Sequence, residues 1–264
     1  MIPKVIHYCW FGGNPKPEIV KNCIASWRKF CPDWKIIEWT ETNYDVQTIA
    51  YMKDAYDAQK WAFVSDVARL DLVAKYGGIY LDTDVELLAP IDELTENEAV
   101  YAFETERNIN TGSGFGAVAG HPTVVAMLDY YKDRHFLKNG KPDMTPCPAG
   151  NTEMLIQVCP HFLRNGRYQL KDGVLLLGIG DYQKYMKHYG TATWGDAPKL
   201  DVTASEWVYK DRKLKRFLKR PEAFDFLERY FGKKGVKVYT FAVYDLMERG
   251  PFYFVKRIFR KWMH

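Results

Sequence analysis

Apolar positions in the first third of the chain switch between the two-residue period of strands and the 3.6-residue period of helices. The pattern predicts strands over residues 5–10, 34–39 and 79–81, and helices over residues 18–30 and 57–76. Glycine and proline mark the boundaries, because Gly12 follows the first strand, Pro32 the first helix and Gly77 the long second helix. We therefore expect strands and helices to alternate along this part of the chain.

The middle of the chain continues the pattern. Apolar runs predict strands over residues 100–104, 114–119 and 174–177, a helix after Pro122, and another that starts near Asn151 or Thr152. Alternation of this kind is typical of an α/β fold with a mostly parallel central sheet flanked by helices. Such sheets bind ligands beyond the carboxyl ends of their strands. We expect a single domain over residues 1–204.

Charge separates the end of the chain from its body. Residues 205–264 carry 16 basic and 7 acidic side chains, whereas the other 204 residues carry 21 and 26. We expect residues 205–264 to form a basic, mainly helical extension that packs on the domain or on a membrane surface. Within it, residues 249–264 place aromatic side chains beside cations, which is typical of a helix at an anionic membrane surface, and equally of a terminal helix docked on the core.

Two carboxylates follow the predicted strand over residues 79–81. The sequence there reads GGIYLDTD, and Asp82 and Asp84 would share one side of an extended backbone. Hard oxygen ligands suit Mg²⁺ or Mn²⁺, which keep open positions for substrate phosphates. The alternatives are a simple turn, or an aspartyl phosphotransferase of the DxDx[TV] pattern. Glu86 occupies the fifth position of that pattern and disfavours the second alternative.

The helix before this strand carries a second candidate. Asp66 and Arg69 are three residues apart and share one helix face, with apolar residues around them. A surface ion pair would contribute little, so their apolar context favours a buried pair or one that faces a pocket. In a pocket, the pair would bind sugar hydroxyls. Trp10, at the end of the first strand, is either a core residue or a platform on which a flat ring stacks.

Two blocks of sequence resemble a known family. The chain begins with MIPKVIHYCWFGG, and FVSDVARLDLVAKYGGIYLDTD ends at Asp84. Both resemble the family 32 glycosyltransferases, which are DxD sugar transferases. The resemblance is close over residues 2 to about 90, with weaker similarity over residues 115–122 and 185–194. It implies a GT-A-like catalytic domain and a metal-dependent enzyme that retains the anomeric configuration of the transferred hexose.

The resemblance also assigns roles to individual residues. Asp82 and Asp84, with Asp66 and Arg69, would be catalytic, and Asp82, Asp84 and His188 would hold Mn²⁺ or Mg²⁺. The donor would be bound by Trp10, Ser65, Asp66, Arg69, Tyr80, Asp82, Thr193 and Trp194. The last motif departs from the family's HHxxGSW pattern, because Tyr189 replaces its second histidine. Glu104 or another carboxylate after the fourth strand could assist the reaction, but no pattern singles it out.

These observations predict a hexosyltransferase that uses a nucleotide-diphosphate sugar, with UDP favoured over GDP. The expected acceptor is a glycan or lipid-linked glycan of capsule, exopolysaccharide or lipopolysaccharide synthesis. A non-catalytic nucleotide-sugar or glycan-binding module and a toxin-like protein glycosyltransferase are the alternatives. No nucleic acid partner is expected, because the body of the chain is acidic. The absence of a secretory signal, of an 18-residue apolar run and of CxxC pairs predicts a cytoplasmic protein, or one peripheral on the inner face of the cytoplasmic membrane.

Overall fold

The structure, a computed structural model, describes residues 1–190. Its strands are β1 (Val5–Cys9), β2 (Lys35–Trp39), β3 (Gly78–Tyr80), β4 (Val85–Leu87), β5 (Ala99–Ala102), β6 (Phe115–Ala117), β7 (Leu137–Lys138), β8 (Lys141–Pro142), β9 (Gln169–Lys171), β10 (Val174–Leu177) and β11 (Met186–His188). Its α-helices are α1 (Glu18–Phe30), α2 (Ala50–Asp57), α3 (Trp61–Tyr76), α4 (Pro122–Lys132), α5 (Cys147–Val158) and α6 (Ile179–Tyr185). A short 3₁₀ helix spans Asp92–Glu96.

A seven-stranded sheet lies at the centre, in the order β2-β1-β3-β6-β5-β10-β9. β1 pairs in parallel with β2 and β3, and β5 pairs in parallel with β10. β6 and β9 run antiparallel to their neighbours, so five of the seven strands share one direction. The prediction of an α/β fold with a mostly parallel sheet is therefore confirmed. Because β1 and β3 are parallel neighbours, the residues that follow them meet at one edge of the sheet.

Helices cover both faces of the sheet. On one face α2, α3, α4 and α5 pack over the strands and bury Met52, Leu70 and Met127 completely. On the other face α1 buries the Trp27 side chain completely. The Trp27 indole N–H donates to the Val85 carbonyl at 2.8 Å. This hydrogen bond attaches the segment after Asp84 to the core, which matters for the site described below.

The helix predicted over residues 57–76 begins four residues later, at Trp61, and ends as predicted at Tyr76. α2 ends at Asp57, and α3 begins only at Trp61. Between them Gln59 has a φ of 55°, in the left-handed region that ends helices. The Lys60 N–H closes this helix end by donating to the Ala55 carbonyl at 2.9 Å. The break turns the start of α3, and with it Trp61, toward the carboxyl end of β1.

The helix predicted to start near Asn151 or Thr152 begins earlier, at Cys147. Proline is favoured in the first turn of a helix, and Pro148 occupies that turn. Asn151 and Thr152 are therefore inside α5 and do not cap it. Their side chains instead hold the loop over residues 108–113, because Thr152 Oγ1 accepts the Ile109 N–H at 3.0 Å and Asn151 Nδ2 donates to Thr111 Oγ1 at 3.0 Å.

Several predictions concern residues outside the described range. They are the boundary at residue 204, the helical extension over residues 205–264, the membrane segment over residues 249–264, and the donor contacts of Thr193 and Trp194. These stay predictions.

Candidate active site

A large pocket opens beyond the carboxyl ends of β1 and β3. Its volume is about 820 Å³, within the range of small-molecule sites. The described residues assigned to the site all line it: Trp10, Ser65, Asp66, Arg69, Tyr80, Asp82, Asp84 and His188. The structure therefore brings together side chains that are up to 178 positions apart in the sequence.

Asp82 and Asp84 do not lie on an extended strand, as the two-residue period predicted. β3 ends at Tyr80, and the backbone then turns so that the Val85 N–H donates to the Asp82 carbonyl at 3.0 Å. The Asp82 N–H donates to the Gly112 carbonyl at 3.1 Å. The turn still brings both carboxylates together, because one oxygen from each and a ring nitrogen of His188 lie within 4.8 Å of one another.

His188 reaches the aspartates through a strand pair that the sequence did not reveal. β11 runs antiparallel to β4 and places His188 opposite Val85. Its Nε2 lies 3.3 Å from Asp84 Oδ1, and its Nδ1 lies 3.0 Å from Ser113 Oγ. Burial opposes the charged form of His188, but the hydrogen bond to Asp84 and the negative charge of Asp84 outweigh it. The pKa of His188 is therefore raised above its ordinary value.

This donor set fits a divalent cation. Carboxylate oxygens suit Mg²⁺ and Mn²⁺, and the added imidazole favours Mn²⁺, the transition metal of the two. Three protein ligands leave coordination positions for substrate oxygens. Ser113 occupies Nδ1 of His188 and so leaves Nε2 as the ligating nitrogen. The backbone of the loop residue Gly112 packs directly against the cluster. A Cβ at this position would overlap Asp82 Oδ2 and lie 2.8 Å from Arg69 Nη1.

Arg69 joins the two predicted halves of the site. Its guanidinium lies 3.0 Å from Asp66 Oδ1 and 3.1 Å from Asp82 Oδ1, and only 3% of its side chain is exposed. It also donates from Nε to the Ser65 carbonyl at 3.0 Å and stacks 5.0 Å from the centre of the Tyr80 ring. A surface ion pair is thereby excluded. Arg69 is fully engaged with protein groups, and it fixes the direction of both carboxylates.

Burial dominates the electrostatics of these carboxylates. Burial raises the pKa of Asp82 to about 6, with Arg69 opposing and the charge of Asp84 reinforcing the shift. Burial also raises the pKa of Asp66, again against the stabilising charge of Arg69. A divalent cation between Asp82 and Asp84 would favour their ionised forms and remove this cost. Arg69 offsets this cost only in part, so a further positive charge would stabilise the ionised cluster.

Trp10 also lines the pocket. Its ring is half-buried, its indole N–H donates to the Asn14 carbonyl at 2.7 Å, and Lys16 Nζ lies 5.6 Å from the ring centre. A second indole, Trp61, lies against Gly12, whose φ is +87° and whose missing Cβ would sit 2.8 Å from Trp61 Nε1. The glycine pair therefore does allow an aromatic ring to approach the backbone. Trp61 is the ring that does so within the described protein.

Three further residues line the pocket, and of these the sequence had suggested only Glu104, as a carboxylate that could assist the reaction. Cys147 begins α5, its Sγ lies 3.9 Å from Thr111 Oγ1, and burial raises the pKa of its thiol. Glu104 and Asn110 form a hydrogen-bonded pair at the rim, at 3.0 Å. The polar loop over residues 108–113 was a sequence signal for Asn110, whereas no local pattern indicated Cys147.

Comparison with known proteins agrees with this site. Residues 17–101, which contain Asp66, Arg69, Asp82 and Asp84, match the family model described as "Glycosyltransferase sugar-binding region containing DXD motif". The chain carries the DXD region of a glycosyltransferase. The prediction of a DxD glycosyltransferase is therefore confirmed.

Two fungal relatives extend beyond the DXD region. "Inositol phosphoceramide mannosyltransferase 1" of Schizosaccharomyces pombe is 26% identical over 240 residues, which are 86% of this chain and 72% of the relative. "Mannosyl phosphorylinositol ceramide synthase CSH1" of Saccharomyces cerevisiae is 23% identical over 208 residues, 75% of this chain and 53% of the relative. The chain thus spans about three quarters of the first and about half of the second.

Among solved structures, "PaToxG Glycosyltransferase" aligns with a TM-score of 0.49 and 18% identity, over 60% of this chain and 70% of that chain.

The predicted cytoplasmic placement is wrong. The relatives of this DXD chain are named for mannosylating inositol phosphoceramide, and such yeast enzymes are lumenal and membrane-associated. The prediction was wrong because missing targeting signals do not indicate in which compartment an enzyme meets its acceptor. Within residues 1–190, the structure contains no helix both long and apolar enough to cross a bilayer.

Proposed function

We propose that this protein transfers a hexose from a nucleotide-diphosphate sugar to an acceptor hydroxyl, with a divalent cation held by Asp82, Asp84 and His188. One observation carries the proposal. Two carboxylates and an imidazole converge within 4.8 Å in a pocket that also exposes the Trp10 ring. A cation site suits the diphosphate of a sugar nucleotide, and an aromatic face suits its base. The matched DXD region supports the same chemistry.

The residues of the site would each perform a separate task. A bound cation supplies Lewis-acid neutralisation of the diphosphate charge. Asp82 is held by Arg69, and Asp84 by His188, so both carboxylates keep their direction without substrate. One carboxylate oxygen of Asp66 pairs with Arg69, and the other would accept a hydrogen bond from a hydroxyl of the donor sugar. Trp10 would stack on the base.

The transfer breaks the bond between the anomeric carbon and the diphosphate oxygen, whose electron pair leaves with the diphosphate. The acceptor oxygen forms the new bond to that carbon, and its proton passes to the departing diphosphate oxygen. Retention of the anomeric configuration remains the expectation from the family resemblance.

The donor and the acceptor follow from different arguments. The family resemblance favours UDP over GDP, whereas the names of the fungal relatives make mannose the first sugar to test. Those names also support a phosphoinositol-bearing lipid acceptor beside the capsular and lipopolysaccharide glycans expected from the resemblance. A screen of UDP-glucose, UDP-galactose and GDP-mannose with Mn²⁺ separates these donors, because a ligand that binds the folded state raises the melting temperature.

The test of the proposal is Asp84→Asn. This change removes the carboxylate charge and keeps the side-chain size, so Mn²⁺-dependent donor turnover should fall by a factor of about 10² or more. Asp172→Asn is the matched control, because Asp172 is 71% exposed and its φ of 50° is one that asparagine also adopts. The proposal is refuted if Asp84→Asn, or the wild type in a chelator, turns over donor at the wild-type rate.

The alternative of a non-catalytic binding module rests on Tyr189, which replaces a histidine of the family motif. The Tyr189 hydroxyl donates to Glu86 Oε2 at 2.7 Å, and Lys187 Nζ lies 4.3 Å from the ring centre. Tyr189 is therefore engaged with neighbours on β4 and β11. Donor binding by calorimetry without turnover of any acceptor would favour the binding module.

A further inference from the structure

Exposed apolar side chains are concentrated at one edge of the central sheet. Within residues 1–190, eight large apolar side chains are exposed, and four of them lie between positions 158 and 170. Leu163, Tyr168 and Leu170 are 63%, 53% and 54% exposed. They belong to β9, the last strand of the sheet, and to the segment between α5 and β9. Single exposed apolar residues are ordinary, whereas a cluster of them indicates a contact surface.

The segment before β9 has a defined fold that presents these side chains. The Gln169 side chain accepts the Leu163 N–H and donates to the Leu163 carbonyl, both at 2.8 Å. These two hydrogen bonds hold Leu163 beside β9. Tyr168 and Leu170 are two positions apart at the start of this strand, so they share one side of it. The apolar side chains therefore flank the open edge of the sheet.

Three exposed cations alternate with the apolar side chains along the same segment: Arg164, Arg167 and Lys171. None of the three forms an ion pair within residues 1–190. Two carboxylates lie nearby, Asp172 in the segment and Glu106 on the adjoining loop, and a third, Asp181, pairs with Lys184. The cations therefore outnumber the carboxylates that could neutralise them. Charged residues also protect edge strands from pairing with other chains, but that role needs no exposed apolar side chains beside them.

This edge of the sheet adjoins the rim of the pocket. Arg164 donates from Nε to the Arg107 carbonyl at 2.8 Å and from Nη2 to Asn108 Oδ1 at 2.7 Å. Both partners are neutral groups, so the guanidinium keeps its positive charge. They lie in the loop between Glu104 and Asn110, which line the pocket. A lipid bound at this edge would therefore lie close to the pocket.

We propose that an edge surface docks the protein on a bilayer that contains anionic lipid. The edge surface consists of Leu163, Arg164, Arg167, Tyr168, Leu170 and Lys171. Cations near such a bilayer are attracted to its headgroups, and the stems of arginine and lysine cover apolar surface while their charged ends reach the phosphates. Tyrosine favours the same boundary, because its ring is apolar and its hydroxyl is polar.

The docking extends the proposed function, because it would hold a lipid acceptor beside the pocket. It rests on that function only for the acceptor, since binding to a bilayer needs no turnover. The edge surface includes none of residues 249–264. A second copy of the chain fits this surface less well, because two such edges would bring like charges together and β9 offers only three residues for pairing.

The first experiment measures binding of the full chain to phosphatidylcholine vesicles with and without about 30% phosphatidylserine, in the absence of divalent cations. Arg167→Glu combined with Lys171→Glu should weaken binding to the anionic vesicles by about 20-fold or more, because each cation near the bilayer contributes about fivefold. Arg28→Glu combined with Lys141→Glu is the matched control, since it changes the net charge equally at exposed positions elsewhere. Its affinity should stay within about threefold of wild type. Equal affinities of the two double variants would overturn the inference.

A second measurement locates the contact. Leu170→Cys and Leu137→Cys, at positions that are 54% and 41% exposed, each receive a polarity-sensitive fluorophore. On anionic vesicles the emission of the probe at position 170 should shift to shorter wavelength and be quenched by lipids with brominated acyl chains. The probe at position 137, in β7, should show neither change. Equal responses of the two probes, or a shift at position 170 that needs only a higher protein concentration, would overturn the inference, and the latter would assign the surface to a second copy.

Activity distinguishes this inference from the proposed function. The edge surface touches neither cation nor donor, so Arg167→Glu combined with Lys171→Glu should transfer to soluble methyl α-mannoside at the wild-type rate. Transfer to a phosphoinositol lipid in the anionic vesicles should fall with the loss of binding. Equal losses toward both acceptors would overturn the inference and leave the proposed function intact. Absence of donor turnover in wild type would overturn the proposed function, while the vesicle measurements would still decide the docking.

Discussion

Gly112 offers a sharp test of how closely the loop over residues 108–113 must approach the cation ligands. A Cβ at this position would overlap Asp82 Oδ2, lie 2.8 Å from Arg69 Nη1 and lie 3.1 Å from Asn110 Oδ1. The φ of Gly112 is not in the left-handed region, so Gly112→Ala introduces a steric change without backbone strain. The Asp82 carboxylate or the loop must move, and a displacement of about 1 Å in an active site can cost about 10² in rate.

The expected result is a large loss of function with a modest loss of stability. Overpacking of this kind costs about 1–3 kcal/mol of unfolding free energy, so Gly112→Ala should remain folded. Gly180→Ala in α6 is the control, because its Cβ would meet no atom within 4 Å and alanine favours helices. Calorimetry of Mn²⁺ and donor binding, together with chemical denaturation, measures both effects. Mn²⁺ affinity and turnover of Gly112→Ala within about threefold of Gly180→Ala would refute the steric reasoning.

Two further predictions concern histidines. Ser113→Ala removes the hydrogen-bond partner of His188 Nδ1 and should weaken Mn²⁺ binding by about 10–100-fold in a titration. An unchanged Mn²⁺ affinity would contradict the assignment of Nε2 as the metal ligand. His7 is buried and neutral, because the Trp39 indole donates to its Nδ1 and its Nε2 lies 2.9 Å from the Gly77 carbonyl, and burial lowers its pKa. Because His7 takes up a proton more readily in the unfolded chain, a lower pH favours unfolding of the wild type. The difference in unfolding free energy between wild type and His7→Gln should therefore decrease as pH falls below about 6.5 in denaturant titrations. A difference that stays constant from pH 8 to pH 5 would contradict this.

The sequence was most informative where structure is local. The helix over Glu18–Phe30 and the strand over Val174–Leu177 appear with the predicted bounds, because their apolar spacing and flanking residues are complete within the segment. Asp66 and Arg69 share a face of α3 for the same reason. The helix predicted over residues 57–76 begins only at Trp61, because Gln59 has a positive φ that apolar periodicity does not reveal.

The DXD turn shows how a correct conclusion can rest on incorrect geometry. The two-residue period placed Asp82 and Asp84 on one side of a strand, but the chain turns after Tyr80. Their convergence comes from hydrogen bonds to Gly112 and within the turn, and from the anchor that Trp27 provides at Val85. Those partners belong to other segments, so the local pattern contained no information about them.

The sequence by itself determined the class of fold and the helix face that carries Asp66 and Arg69, because each depends on spacing within a short segment. The resemblance of two sequence blocks to a known family added the DXD region of a glycosyltransferase. Tertiary structure alone decided how His188 and Ser113 meet Asp84, and how Asn110 holds Glu104 at the rim of the pocket. β4 and β11 are three-residue strands, too short for a periodic signal, and the Tyr189–Glu86 contact between them joins residues 103 positions apart. Such pairings are stabilised by packing and hydrogen bonds between distant segments, which local residue preferences do not encode.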